Sequence, residues 1–200
     1  MPRRRDTLPP GGPLATAAAL GAVETARSVV LVEGLSDQLA VEAVARRRGL
    51  DLGAAGVAVL PIGGAHAVGR FAERLSHLRL AGLCDAQEAS LFRAALDGPA
   101  VHVCTADLED ELLRAHGPAG VEALFREHGD LAAFRTFQKQ PAWRGRPVDD
   151  QLRRFLTSAD RRKLRYARIL AATAARVPSP LIAVLDYVSG LSPGVTTPAS

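Results

Sequence analysis

The chain has 200 residues, 48% hydrophobic and 23% charged. That is enough to bury a core as one α/β domain with an appendage, and too apolar for a disordered polymer. Net charge is +4 with a pI near 9.7, a mild bias toward polyanionic partners that is concentrated in one place: residues 135–168 hold eleven basic and three acidic side chains, while the rest of the chain is net acidic. In order along the chain, residues 1–13 read as a disordered tail. There Asp6, Pro9, Pro10, Gly11, Gly12 and Pro13 interrupt any export signal, and 14–26 read as a short helix. Apolar runs and helical stripes then alternate: a strand over 28–32, a helix to about 48, a strand over 57–60, a helix from about 65 to 76, a strand over 79–83, a helix from about 87 to 96, and a strand over 100–104. Four strands separated by helices predict a parallel sheet with right-handed crossovers. From Asp107 the pattern is helix after helix (107–116, 118–129, 131–139, 148–157, 161–175 and 180–188), followed by a Pro, Gly, Ser and Thr-rich tail. The expected plan is a tail and short helix over 1–27, an α/β domain over 28–106, a helical extension over 107–188 and a flexible tail over 189–200. No run reaches the length of a membrane span, and Cys84 and Cys104 lack CxxC or Cys/His ligand spacing, so a cytoplasmic, reducing compartment is expected.

The chemistry centres on SVVLVEGLSDQ at 28–38. A near-continuous β-branched run suits a strand buried on both faces of a parallel sheet, and Glu33 stands where it leaves the core. Gly34 permits a turn, Ser36 is the expected N-cap, and Asp37 falls in the first helical turn beside the same crevice. A second element, LCDAQE at 83–88, ends the third apolar run. If strands one and three are neighbours, their ends lie about 5 Å apart, and Glu33 and Asp85 can share a hard divalent cation such as Mg²⁺ or Mn²⁺, which relieves their repulsion and serves phosphodiester cleavage.

VEGLSD at 32–37, GG at 63–64 after the second strand, and LAGLCDAQE at 80–88 after the third together resemble the TOPRIM domain of topoisomerases, primases and several nucleases. Downstream, ADLEDELLRAHG at 106–117 and RRKLRYARIL at 161–170 look like the carboxy-terminal part of the TOPRIM nuclease module of OLD (overcoming lysogenization defect) endonucleases. The resemblance implies a Rossmann-like four-stranded parallel sheet flanked by helices, with a helical carboxy-terminal extension. It also implies a metal-dependent DNA nuclease. On this sequence, Glu33 becomes the lead metal ligand or general base, Asp37 its support and Asp85 the first aspartate of the DxD motif. Gln87 departs from the second aspartate, and Glu88 next to it is the compensating ligand. Glu109 takes the place of a further metal-site acid, and Lys163 that of a cation neutralising charge on the phosphate. OLD-type proteins are commonly joined to an ABC-type ATPase; this sequence has no Walker A loop, so the ATPase would be a separate partner.

Each residue has a plainer role too. Asp37 favours the helix dipole, Asp85 with Glu88 makes a capping box, Asp107 with Asp110 starts the next helix, and Lys163 belongs to a solvated basic face. Gly63 and Gly64 read either as a phosphate cradle or as a tight turn, with His66 at the crevice rim. For nucleic-acid binding the candidates are Lys139, Trp143, Arg144, Arg146, Arg161, Arg162 and Arg165: cations for phosphates, and an indole that stacks on an unpaired base or docks on the core. The competing class is a degenerate TOPRIM protein that binds nucleic acid or nucleotide without cutting it.

Overall fold

The structure, a computed structural model, describes residues 13–190; the tails expected over 1–13 and 189–200 lie outside the described residues except at their inner ends, where Pro13 begins one helix and Ser189 ends another. A helix α1 (Pro13–Val23) leads to β1 (Ser28–Val32), α2 (Leu35–Arg47), β2 (Val57–Pro61), a 3₁₀ turn over Ala65–Ala67, α3 (Val68–Arg74), β3 (Arg79–Cys84), α4 (Ala89–Ala95) and β4 (Val101–Val103). Five helices follow: α5 (Leu108–His128), α6 (Leu131–Gln138), α7 (Val148–Thr157), α8 (Asp160–Thr173) and α9 (Ser179–Ser189). All strand pairs are parallel in the order β2-β1-β3-β4, with Val32 opposite Pro61 on one side and Leu83 on the other. The glutamate that ends β1 and the aspartate that ends β3 are therefore on adjacent strand ends.

β1 and β2 are buried along their whole length, and the period of two divides their side chains between two cores. Val29, Leu31, Ala58, Leu60 and Cys84 face α1, α3 and α4 through Ala19, Phe71, Leu75 and Phe92. Val30, Val32, Val57, Val59, Ala81 and Leu83 face α2 and the carboxy-terminal helices through Val44, Leu112, Phe155 and Leu185. The second of these cores is anchored by an aromatic group in which Phe125 meets Phe134, Phe155 and Tyr166 edge-on at 5.0–5.3 Å. Such pairs add to plain area burial because ring edge and ring face carry opposite partial charge. Tyr166 donates to Asp130 at 2.7 Å, and Arg165 donates to the same carboxylate at 3.0 Å.

One local break was legible in the sequence. Gly117, at φ 64°, interrupts α5 just before Pro118, so the expected 107–116 and 118–129 helices form one bent element; a left-handed residue followed by proline cannot continue a straight helix. At Gly82 a Cβ would lie 2.5 Å from Phe92 Cδ1, so the glycine lets α4 approach β3.

The expected N-cap is corrected. Gly34, not Ser36, caps α2, and the Asp37 carboxylate accepts from the Gly34 amide at 2.9 Å. Ser36 is buried in the first turn, while Asp37 reaches back over one turn to the orphan donor.

α8 lies alongside α2. Leu164 packs with Leu35 and Leu39 at the start of both helices, and Arg47 donates to the Ala174 carbonyl at their far end. The two helices therefore run parallel and deliver the first turn of α8 to the mouth of the sheet.

Candidate metal centre

One oxygen from each of Glu33, Asp85 and Glu88 lies within 4.8 Å of the other two. Glu33 hangs from the end of β1, Asp85 from the end of β3, and Glu88 from the turn that follows. The capping box suggested by Asp85 and Glu88 is not formed. Asp85 Oδ1 instead accepts from the Leu108 amide, at 3.2 Å, and Glu88 Oε2 is buried without a hydrogen-bond partner. An orphaned buried carboxylate oxygen is costly, and beside two more carboxylates it leaves the triad suited to a hard, oxygen-seeking cation. Gln87, in the place of the second DxD aspartate, is exposed.

Asp37 and Glu109 are outside the triad but close enough to act on it by charge. Lys163, delivered by α8, reaches Glu109 Oε1 at 2.9 Å. Electrostatics tie the five acids and the lysine together. Burial raises the Asp37 carboxyl to about 7, with Glu109 adding repulsion and the Gly34 amide opposing. Burial likewise raises Asp85 to about 7, helped by Glu33, Asp37 and Glu109. For Glu33 the direction is also upward, from burial first and then Glu88. Burial works against the Lys163 ammonium, but Glu109, by charge and hydrogen bond, followed by Asp37 and Asp85, outweighs it and the net direction is upward. Next to the triad, Cys84 is pushed up to about 12 by burial and by Glu33, which makes it a packing residue and not a thiolate nucleophile.

The other candidate residues divide. Asp107 is the N-cap of α5, accepting from the Asp110 amide at 2.8 Å, and also pairs with Arg153. Gly63 and Gly64 both donate to the Glu33 carbonyl at 3.0 Å. Their amides close a turn and are not presented as a cradle. The half-buried Trp143 ring stacks on Phe137 at 5.3 Å, so one indole face is covered. Arg162 lies 3.9 Å over the Phe155 ring and donates to the Phe155 carbonyl and to Ser158. Arg165 is engaged by Asp130 and the His128 carbonyl. Lys139, Arg144, Arg146 and Arg161 are exposed, and Arg146 sits 6.0 Å over the Trp143 ring. No sequence motif marks Arg70, which shares a concavity with Gly63, Gly64 and His66, the two glycines being those bonded to the Glu33 carbonyl.

An all-parallel sheet with acids gathered at its carboxyl end defines a Rossmann-like fold, here of the TOPRIM type. Residues 25–84 match the family model described as "Overcoming lysogenization defect protein-like, TOPRIM domain". Over that stretch the chain is similar to an OLD-like TOPRIM domain. Its fold is similar to the C-terminal region of the Burkholderia pseudomallei OLD protein, at 18% identity and TM-score 0.62, covering 82% of this chain and 98% of that one. It is also similar to the C-terminal region of the Xanthomonas campestris pv. campestris OLD protein, at 21% identity and TM-score 0.60, covering 85% of this chain and 95% of that one. At such identities the likeness speaks for the fold, and it extends beyond the matched segment into the carboxy-terminal helices. No curated protein matches the chain at a significant level. Among the described residues, no helix is long and apolar enough to cross a membrane.

Proposed function

We propose that the chain is a divalent-metal-dependent nuclease, or nuclease subunit, that hydrolyses phosphodiester bonds of DNA in the cytoplasm. The observation that carries this reading is the Glu33–Asp85–Glu88 triad with its orphaned Glu88 oxygen. It lies at the carboxyl end of an OLD-like TOPRIM sheet, where open α/β folds bind their ligands.

Glu33, Asp85 and Glu88 would hold Mg²⁺ or Mn²⁺. Bound there, the ion supplies Lewis-acid polarisation of a phosphoryl oxygen and a water of lowered pKa. The remaining work belongs to the chain. The Leu108 amide fixes the rotation of Asp85, since a hydrogen bond to one carboxylate oxygen leaves the other to point into the crevice. Asp37 is held by the Gly34 amide. Glu109 steers the Lys163 ammonium over the acids, where it faces the negative charge that builds on a phosphate during attack. Glu88 supplies the third carboxylate that Gln87 does not. The exposed Lys139, Arg144, Arg146 and Arg161 give the DNA backbone a positive approach. In this reading an ABC-type ATPase would act as a separate partner.

The test is incubation of the purified protein with single-stranded DNA and supercoiled plasmid in Mg²⁺ or Mn²⁺, beside Asp85→Ala and a chelator control. Nicking that requires the ion and is lost in Asp85→Ala is expected. If the protein binds DNA but wild type and variant are equally inert, a non-cleaving DNA-binding role replaces the nuclease reading.

A further inference from the structure

We propose that Arg70 and His66, on the rim of the Gly63–Gly64 turn, form a subsite for the DNA phosphate next to the scissile one. This rests on the nuclease reading and deepens it by setting the path of the substrate strand. A concavity of about 380 Å³ is lined by Gly63, Gly64, His66, Ala67 and Arg70. It sits at the carboxyl end of β2, one strand spacing of about 4.8 Å from β1. The turn is tied to the metal centre through backbone: Gly63 and Gly64 both donate to the carbonyl of Glu33, the residue whose side chain heads the acidic triad. The two turn positions themselves put no side chain in the way, because positive φ values of 78° and 113° keep both as glycine.

The cations nearest the metal centre on the opposite flank are already committed. Arg153 pairs with Asp107, Arg162 bonds the Phe155 carbonyl and Ser158, Arg165 holds Asp130, and Lys163 holds Glu109. Arg70 differs. It is exposed, forms no ion pair among the described residues, and lies beside its neighbour Phe71 with 5.4 Å between guanidinium carbon and ring centroid. A phosphodiester held at the triad has a neighbouring phosphate on each side. The glycine turn is the open way off the triad on the β2 side, and a guanidinium with its forked donors waits at the end of it. His66 is exposed on the same rim and adds a ring N–H donor.

The experiment measures binding of a fluorescein-labelled single-stranded DNA oligonucleotide to the full chain by anisotropy, in Ca²⁺, across a salt series. Arg70→Ala and His66→Ala are compared with wild type. Arg70→Ala is expected to weaken binding about 5- to 20-fold and to lower the slope of log K against log salt by about one phosphate contact. Arg70→Lys should keep the slope, since a point charge still meets the phosphate, and Mn²⁺ affinity should match wild type in all three variants. Unchanged DNA affinity and slope in Arg70→Ala overturns the subsite even if the protein nicks DNA. Conversely, the expected losses in a protein whose Asp85→Ala variant nicks as well as wild type would keep Arg70 as a DNA-phosphate contact but remove the catalytic reading and, with it, the placement beside the scissile phosphate.

Discussion

Removing one charge from the triad tests the metal centre through stability alone. Oxygens within 4.8 Å of one another repel by about 3 kcal/mol per fully ionised pair at an effective dielectric constant of about 20. Water and partial protonation reduce this, leaving about 1–3 kcal/mol of repulsion that Glu33→Gln relieves at pH 8. For a chain of this size each kcal/mol moves the unfolding midpoint by about 2–4 °C, so metal-free Glu33→Gln should melt about 2–12 °C above wild type. Mg²⁺ at about a hundred times its dissociation constant stabilises wild type by about 2.7 kcal/mol, and the variant should lose most of that gain. Near pH 4, well below the value of about 7 to which Asp85 is raised, its carboxyl is neutral and the difference between the metal-free proteins should narrow. Thermal unfolding in EDTA and in Mg²⁺, followed by circular dichroism, reads all of this. A metal-free variant that melts below wild type, or that keeps the full Mg²⁺ shift, refutes the reasoning.

Asp37 and Asp85 have carboxyls raised from 3.8 to about 7, so the folded, metal-free chain binds protons the unfolded chain has released. Their contribution is fully present below about pH 4 and is lost as pH rises through 7, on the order of a few kcal/mol for the coupled pair. Urea unfolding in EDTA from pH 4 to 8 should show this fall, reduced in Asp85→Asn, whereas Mg²⁺ should stabilise more at pH 8 than at pH 6; a wild-type fall no steeper than that of Asp85→Asn would contradict it. Gly82→Ala forces Phe92, which is fully buried, out of its place. It should cost about 1–3 kcal/mol by overpacking, and an unaltered thermal midpoint would count against the packing described. Lys163→Met keeps the aliphatic stem and removes the charge beside Glu109. Cleavage should slow by about 10²–10³ without loss of Mn²⁺ affinity, and a rate within a few-fold of wild type would free Lys163 of a catalytic role.

Much of the fold was legible because parallel strands covered on both faces must be apolar at successive positions. The runs read to Val32, Leu60 and Leu83 announce themselves, the last two one residue short of the strands, and Glu33 and Asp85 stand out as the first acids after two of them. The Gly117-Pro118 break was equally plain. What sequence spacing does not carry is the partner a polar group selects across the fold. Asp37 caps Gly34 and displaces Ser36 from that role. Asp85 takes an amide 23 residues away at Leu108, which frees Glu88 from the capping box its spacing suggests. The Gly63 and Gly64 amides are consumed by a carbonyl on another strand. Trp143, Arg162 and Arg165 follow the same pattern: composition presents them as a nucleic-acid face, whereas Phe137, Phe155 and Asp130 engage them within the protein. Long-range hydrogen bonds and ring contacts of this kind are set by tertiary packing, which local sequence pattern does not encode.

The most direct test of the central claim is nicking of supercoiled plasmid in Mn²⁺ by wild type and Glu33→Gln, with both proteins shown folded at the assay temperature. The account predicts metal-dependent nicking by wild type and loss of at least two orders of magnitude in the variant. Because that variant is expected to be the more stable of the two without metal, unfolding cannot explain the loss. Nicking by Glu33→Gln at the wild-type rate would contradict the account and move the chemistry away from the end of β1.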